Sequence, residues 1–575
     1  MPGLSQKTIE SDVLVIGGGL AGCFAAIRAR EMGASVIVAE KADTRRSGCA
    51  ATGVDHCWTH IPEIHGSEYS VEDLVRDHTE YAEGFVDEEI ATYIASHSFE
   101  RLLDLERFGI PIRDDDGKFS LIKKVHSQPT FLHFAGRDLK PKLSRQVRRA
   151  GAKIVNRVMV TDLLTSGGRV AGAIGLETRT SDLVVFRAGA VVLSTGNIYR
   201  LYQSKSGVPF NIAFPPHETG DGQGMAMRAG VELLNMEFTT FQTGPRNFQR
   251  CGRGTFVPGK TVDAAGRPID ENAAAQSAEL GEGGIRKTMD RSVEFEHTYD
   301  RVLREGRGPI YIDSRGLSDK ELAVIRWALP NEGNASLMAY MDERGIDIRK
   351  DRLEFEVYEP KGGSGKAGIT INARCETSLE GLYAAGDVIG GVTRAVAPGA
   401  FTLGWQAGER AAEFARDQSA EELDCASEEQ IQGRLELWSG ILARRGPRAA
   451  TWQAAQAAMQ STMDYYASRN RSDSMLETGL DRLRRLREDA TAELGVENPH
   501  ELYRSVEILS LMDSAEMIMV SARARTETRF GPEHSRADYP DTDASWYCNT
   551  GLRRENGSFV TYKKPFNHIY EKEVV

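Results

Sequence analysis

The residues of this chain with the clearest chemical reading stand near its start: Gly17-Gly18-Gly19-Leu20-Ala21-Gly22, followed by Glu40 and Lys41. In a glycine pattern of this spacing, Gly17 permits a tight turn and Gly19 lets a pyrophosphate approach bare backbone. Leu20 and Ala21 open a helix whose unpaired N–H groups point at the phosphates. Gly22 lets that helix pack closely on the preceding strand, and Glu40 is placed to accept from ribose hydroxyls. The chemistry implied is the holding of a dinucleotide. A second small-residue run, Ser47-Gly48-Cys49-Ala50-Ala51-Thr52-Gly53, offers backbone to a flat ring system. The chain returns to the same style at Ser194-Thr195-Gly196 and Ala385-Gly386-Asp387. That pattern favours a flavin over a nicotinamide dinucleotide, because a nicotinamide unit would continue in alternating strands and helices.

The elements that must position these residues are also visible. Residues 11–17 (SDVLVIG) are a short apolar, β-branched run, as expected for a buried parallel strand. Leu20 to Met32 reads as a helix and Ala34 to Ala39 as a second strand, completing a βαβ unit. Val71 to about Phe108 has apolar residues at helical spacing. Residues 151–180 and 183–194 alternate as antiparallel strands do. From about Tyr199 to Glu380 the chain is rich in Gly, Pro and Arg, which suggests a cap or substrate domain inserted into the first. Beyond about Gln406 helices are expected to Ala524, and the tail from Arg525 reads as irregular and aromatic.

Composition narrows the function classes. The 71 Lys and Arg against 83 Asp and Glu give a net charge of −12 over 575 residues, which argues against a nucleic-acid or anionic-membrane binder. No apolar run is long enough to span a bilayer. The seven cysteines include no CxxC pair, so the chain offers no iron–sulfur, c-type haem or thioredoxin signature. A scattered, odd set of cysteines suits a reduced compartment, so a cytoplasmic protein is expected. No metal site is expected. The 57 glycines exceed the usual share and concentrate in the segments named above.

With these motifs in view, the chain resembles the succinate dehydrogenase/fumarate reductase flavoprotein superfamily, which also holds aspartate oxidase and the adenylylsulfate reductase alpha subunit. The landmarks are VIGGGLAG with Glu40, RSGCAATG at 46–53, VVLSTGN at 191–197, ETGDGQGMAMRAG at 218–230 and MEF at 236–238. Further landmarks are SLEGLYAAGD at 378–387, PGAFTLGWQAG at 398–408 and ETRFGPEHSRADYPDTDASWYC at 527–548. The resemblance implies an α/β fold. A Rossmann-like FAD-binding domain of glutathione-reductase type (1–235 and 371–420) would carry an inserted α+β capping domain (236–370) and a C-terminal helical domain with its tail (421–575).

It also implies FAD as cofactor. Gly17, Gly19, Leu20, Ala21 and Gly22 would take the pyrophosphate, and Glu40 with Lys41 the ribose. Ser47, Gly48, Cys49, Ala50 and Gly53 would line the ribityl chain and flavin. Val160 would meet the adenine. Ser194, Thr195, Gly196 and Asn197 would flank the dinucleotide, Asp221 would sit in the linker from the cap, and Gly386 and Asp387 would reach the ribityl hydroxyls. A helix starting near Ala400-Phe401-Thr402 would aim its N-terminus at the flavin and stabilise negative charge on the reduced ring.

Three marks of succinate and fumarate enzymes are absent. Gly48 stands where many members carry the histidine that links FAD covalently, so noncovalent FAD is implied. Gln242-Thr243-Gly244 replaces the dicarboxylate-binding His-Pro-Thr, and residues 361–366 (KGGSGK) lack the expected histidine. RSG followed by small residues, and Gly-Ala-Phe-Thr-Leu-Gly after the Ala-Gly-Asp, are closest to the adenylylsulfate reductase alpha branch.

For catalysis, the resemblance places Arg394 at a substrate-binding position, Arg246 in a loop facing the flavin and Arg286 where relatives carry a proton-shuttling arginine. His56 has a pKa suited to an acid or base. Lys361 and Lys366 flank a glycine run and could close on an anion, although a solvated loop is the plainer expectation. His217 reads as structural, and Cys49 and Cys57 as small buried filler. The reading is an FAD-dependent oxidoreductase acting on a small anionic substrate, with electrons exchanged through a ferredoxin-like iron–sulfur partner. Two alternatives remain open: an adenylylsulfate reductase alpha-type activity on a sulfur compound, and a non-catalytic FAD-stabilised electron-transfer module.

Overall fold

The structure is a computed structural model. It describes residues 4–122, 126–208, 210–212, 214–248, 256, 259–269, 299, 301–331, 333–393, 395–418, 423–446 and 448–570.

The chain opens with β1 (Gln6–Ile16), α1 (Leu20–Glu31) and β2 (Val36–Glu40). β1 and β2 pair in parallel, Val13 opposite Val36 and Ile16 opposite Ala39. The last four residues of β1 and all of β2 are buried, as the unbroken apolar runs require of strands covered on both faces. Strand Lys153–Asn156 adds in parallel beside β2, and Leu183–Leu193 beside β1. Leu382–Ala384 then joins Leu183–Leu193 in parallel, at residues 191–193. Strands Val158–Ser166, Arg169–Glu177 and Leu183–Leu193 form the expected antiparallel run at the sheet's edge.

The helical stretch foreseen over 71–108 is two helices, Val71–Tyr81 and Glu88–Arg107, with Ser70 and Asp87 as N-caps. Helix Val396–Asp417 lies against α1 at very short range. A Cβ at Gly404 would stand 2.3 Å from Ala21 O, and one at Gly408 would stand 2.2 Å from Ala25 O. The two glycines therefore fix how close these helices come, and with that the position of the Gly17–Gly22 turn at the head of α1.

A second sheet, Thr239–Pro245, Leu353–Gly363, Ile310–Asp313 and Lys260–Val262, is antiparallel throughout and has its own apolar core around Phe355 and Ile325. Helices Cys425–Ala443, Trp452–Tyr466, Asp473–Glu493 and Pro499–Ala524 follow.

The tail departs from expectation. It is not irregular: Asn549–Glu555 and Ser558–Lys564 form a hairpin, and the first of these strands pairs with Leu233–Leu234. Asn556 and Gly557 turn it with φ of +48° and +80°. Arg525 pins the tail from below, donating to Glu237 Oε1 at 2.6 Å and to the Cys548 carbonyl at 2.7 Å. Trp546 lies against the same guanidinium, 5.1 Å away, and Tyr547 packs with Phe566. Among the described residues no helix is long and apolar enough to cross a membrane.

Candidate active site

The carboxyl ends of the parallel strands open on a cavity of about 540 Å³. Its walls come from all the glycine-rich segments at once. Gly17, at φ +99°, turns the chain beneath the strand end, where a Cβ would stand 2.4 Å from Ser194 O. A Cβ at Gly22 would meet Gly17 O at 1.9 Å. Gly22 thus acts through packing and is not among the lining residues, whereas Gly17, Gly19, Leu20 and Ala21 are. Gly48, at φ +77°, brings a second bare backbone to Gly19, with 3.2 Å between a built Cβ and Gly19 Cα. This is a cradle that side chains would fill, and it fits a dinucleotide.

Glu40 and Lys41 line the cavity. The Glu40 carboxylate accepts from Gly18 N–H and Ala42 N–H, each at 2.7 Å, so it shapes the phosphate turn. Lys41 is engaged elsewhere. Its ammonium contacts Asp221 at 2.7 Å and Glu507 at 3.1 Å and donates to Thr219. Burial alone would pull Lys41 down, but Asp221 and Glu507 outweigh it and hold its pKa up. Ser47, Cys49, Ala50, Gly53, Val160, Ser194, Thr195, Gly196, Asn197, Asp221, Gly386, Asp387 and Ala400 also face the cavity. Thr195 Oγ1 is buried with no hydrogen-bond partner, packed against Gly222, where a Cβ would stand 2.1 Å from it.

The helix expected to begin near Ala400 begins at Val396. Val396, Ala397 and Ala400 line the cavity, but Phe401 packs on Phe24 with ring centroids 5.8 Å apart, and Thr402 is buried outside the lining. The helix starts one turn earlier, so its first turn holds the position assigned to residues 400–402.

Among the catalytic candidates, His56 lines the cavity, and its Nδ1 lies 2.5 Å from the buried carboxylate of Asp55. His133 stands opposite His56 on the paired strand. Ligand-type atoms of Asp55, His56 and His133 lie within 4.8 Å of one another. Arg246 is not brought to the cavity. Its side chain is 54% exposed and pairs with Glu354 at 2.5 Å, just beyond the end of strand Thr239–Pro245. Arg286 and Arg394 lie outside the described residues. Lys366 is no solvated lysine: it is buried, pairs with Glu533 at 3.0 Å and lies 4.1 Å from the Phe530 ring. Cys57 is buried, and burial pushes its thiol pKa well up, as filler requires.

Asp55, Tyr199 and Glu218 also line the cavity, although the motif reading gave none of them a role. Two had a signal in the sequence, since Asp55 adjoins His56 and Glu218 opens the segment that contains Asp221. His217 beside it is hydrogen-bonded through Nδ1 to the Tyr503 hydroxyl at 3.2 Å. Burial drives the His217 pKa down to about 4, so the ring is neutral at physiological pH.

Residues 12–307 match the FAD binding domain family, and residues 456–569 match the fumarate reductase flavoprotein C-terminal family. The chain is 26% identical to a fumarate reductase (CoM/CoB) subunit of Methanothermobacter marburgensis, over 96% of this chain and 98% of that one. It is 25% identical to a fumarate reductase flavoprotein subunit of Mycobacterium tuberculosis, over 96% of each. The adenylylsulfate reductase structure from Archaeoglobus fulgidus superposes with a TM-score of 0.86 at 25% identity, covering 99% of this chain and 98% of that one. The chain accordingly binds FAD and is an FAD-dependent oxidoreductase that belongs to the fumarate reductase/succinate dehydrogenase flavoprotein family.

Proposed function

We propose that this chain is a catalytic subunit that couples noncovalent FAD to a small anionic substrate and passes electrons to or from an iron–sulfur partner. The observation that carries the reading is the Asp55–His56 pair on the wall of the cavity that holds the glycine cradle. Bound FAD supplies the two-electron chemistry. Asp55 accepts from His56 Nδ1, which fixes the imidazole and leaves Nε2 as its basic atom. An imidazole held in this way is placed to move a proton to or from a substrate. Gly48 offers no side chain for a covalent link to the cofactor, in keeping with noncovalent binding.

The anion anchor is proposed to be Arg394, which lies in sequence between the lining residues Val392 and Ala395. The described lining otherwise holds Glu40, Asp55, Glu218, Asp221 and Asp387 against only Lys41 and Arg46, and Lys41 is already paired. The external electron route is supported by the cysteine pattern, which lacks CxxC, and by the naming of the relatives as subunits.

Anaerobic titration of the flavin absorption with a panel of small carboxylic acids tests this reading. Bleaching or reoxidation by one class is expected, with at least a roughly 100-fold slower rate in His56→Gln at unchanged FAD content. Equal rates in the two proteins would remove His56 from the reaction. A response to adenylylsulfate, or to AMP with sulfite, in place of the acids would move the protein to the sulfur-reducing branch, which the Archaeoglobus superposition favours on shape.

A further inference from the structure

The wall opposite the phosphate turn carries a carboxyl group with an unusual set of neighbours. Glu218 is buried, and its backbone carbonyl accepts from Tyr199 N–H at 2.8 Å. Its side chain crosses back over Gly196, which has φ +79°. A Cβ at Gly196 would stand 2.5 Å from Glu218 Oε2 and 2.6 Å from Cδ, so the carboxyl fills the place that a side chain at 196 would take. Oε2 accepts from Asn197 N–H at 3.1 Å. Cys49 Sγ lies 3.3 Å from Oε1 and 3.5 Å from Oε2, and donates to the carboxyl. Tyr199 O–H lies 3.9 Å from the same sulfur, and its ring stacks on Phe214.

The charged and titratable groups facing Glu218 are Cys49 from the 49–52 turn, Tyr199 from the segment after the central strand, Asp387 after Leu382–Ala384, and Lys41 after β2. No cation pairs directly with Glu218 among the described residues; the Lys41 ammonium is shared between Asp221 and Glu507. A buried carboxylate with a second carboxylate for company and no cation is expensive to ionise. Burial first, and Asp387 second, push its pKa up to about 8.

We propose that Glu218 is the redox-linked proton site of the cavity: its carboxyl takes up a proton when the bound cofactor gains electrons and releases it when they leave. The proposal rests on the reading that the Ser47–Gly53 run faces the flavin ring, which sets Cys49 and Glu218 beside the charge that reduction adds. The balance is simple. Each two-electron reduction adds negative charge to the cofactor, and where Glu218 is ionised in the oxidised protein, one solvent proton adds to its carboxylate to offset it. No bond to the cofactor forms or breaks. Below the pH at which Glu218 ionises, the carboxyl is protonated in both states and no such proton is counted.

The test is a spectroelectrochemical titration of the FAD-loaded protein from pH 6.5 to 9.5, beside Glu218→Gln. In the unaltered protein the midpoint potential is expected to fall more steeply above about pH 8, by one added proton per two electrons. That is a tenfold change per pH unit, or about 30 mV. In Glu218→Gln the line keeps its neutral-pH slope throughout. Redox-difference infrared spectra at pH 8.5 should show a protonated-carboxyl band that the variant lacks. A constant slope and no such band in the unaltered protein overturn the proposal without recourse to any variant. Identical breaks in both proteins overturn it as well, by placing the proton elsewhere. Normal FAD content with no break would count against the proton site alone, whereas failure to retain FAD would count against the ring-facing reading on which it rests.

Discussion

Two buried glutamates, Glu218 in the cavity wall and Glu507 behind the lining residue Lys41, are pushed to different charge states. Glu507 comes from helix Pro499–Ala524 and meets Arg200 at 2.9 Å, Arg504 at 2.7 Å and Lys41 at 3.1 Å. Burial would push its pKa up, but these cations outweigh burial and hold it well below the usual carboxylate range. Glu218 is buried to a similar degree and meets a thiol, a backbone N–H and the field of Asp387. Burial makes ionisation costly at both sites, and the neighbours decide whether the cost is offset. One region is therefore a fixed ionic clasp between the C-terminal helices and the Lys41 end of the cavity. The other has charge that can change near physiological pH.

Removing the clasp should produce the largest effect. Glu507→Gln leaves Arg200, Arg504 and Lys41 buried with Asp221 as their remaining close counter-charge. Leaving buried charges uncompensated costs about 3–5 kcal/mol. The expected result is a clearly lowered midpoint in thermal unfolding. A carboxylate whose folded pKa is depressed stabilises the fold above its unfolded value and loses that contribution only as pH falls through the folded one. The deficit should therefore be the same at pH 6 and pH 9. Unfolding curves that overlay those of the unaltered protein would erase the distinction between the two regions.

The sequence made part of this contrast legible and hid the rest for physical reasons. β1, α1 and β2 were readable because a buried parallel strand and a helix each write a local pattern, and the glycines needed for the turn sit between them. The cavity's other walls were readable by motif, down to Gly386 and Asp387. Charge states were not, because they depend on pairings between distant segments, such as Lys41 with Glu507 and Cys49 with Glu218. Arg246 failed for the same reason: it follows a strand that reaches the cavity, yet it is spent on Glu354. The tail hairpin was missed although Asn556-Gly557 is a turn dipeptide, since its pairing partner Leu233–Leu234 lies in another part of the chain.

The second effect depends on pH and is opposite in sign. The Glu218 carboxyl ionises at about 8 in the folded chain, against an ordinary value of 4.5. Between those limits the unfolded chain has released a proton that the folded one retains, so stability falls as pH rises from about 4.5 to 8 and then levels. Glu218→Gln cannot ionise and escapes that loss. Its midpoint should rise relative to the unaltered protein as pH climbs, reaching a gain on the order of 4 kcal/mol at pH 8, with no gain near pH 4.5. A gain independent of pH would mean that the substitution acts through packing and that Glu218 resembles Glu507 after all.

The finest probe of the contrast is the sulfur itself. Cys49 is a weak donor to Glu218, and its contact at 3.3 Å does little to favour the ionised carboxylate. A serine in its place is nearly isosteric and offers a stronger O–H donor. Hydrogen bonds made to the charged form of an acid lower its pKa, so Cys49→Ser should shift Glu218 toward the behaviour of Glu507. If the stronger bond is worth about 0.5–1 kcal/mol more, the pH at which the flavin potential bends should fall by roughly half a unit. The same variant should show its protonated-carboxyl infrared band weakening at a correspondingly lower pH. A bend that stays in place while FAD content is normal would mean that Asn197 N–H and Asp387, and not the thiol, set the charge of Glu218. A bend that moves upward would reverse the expected sign and make the thiol the better stabiliser of the carboxylate.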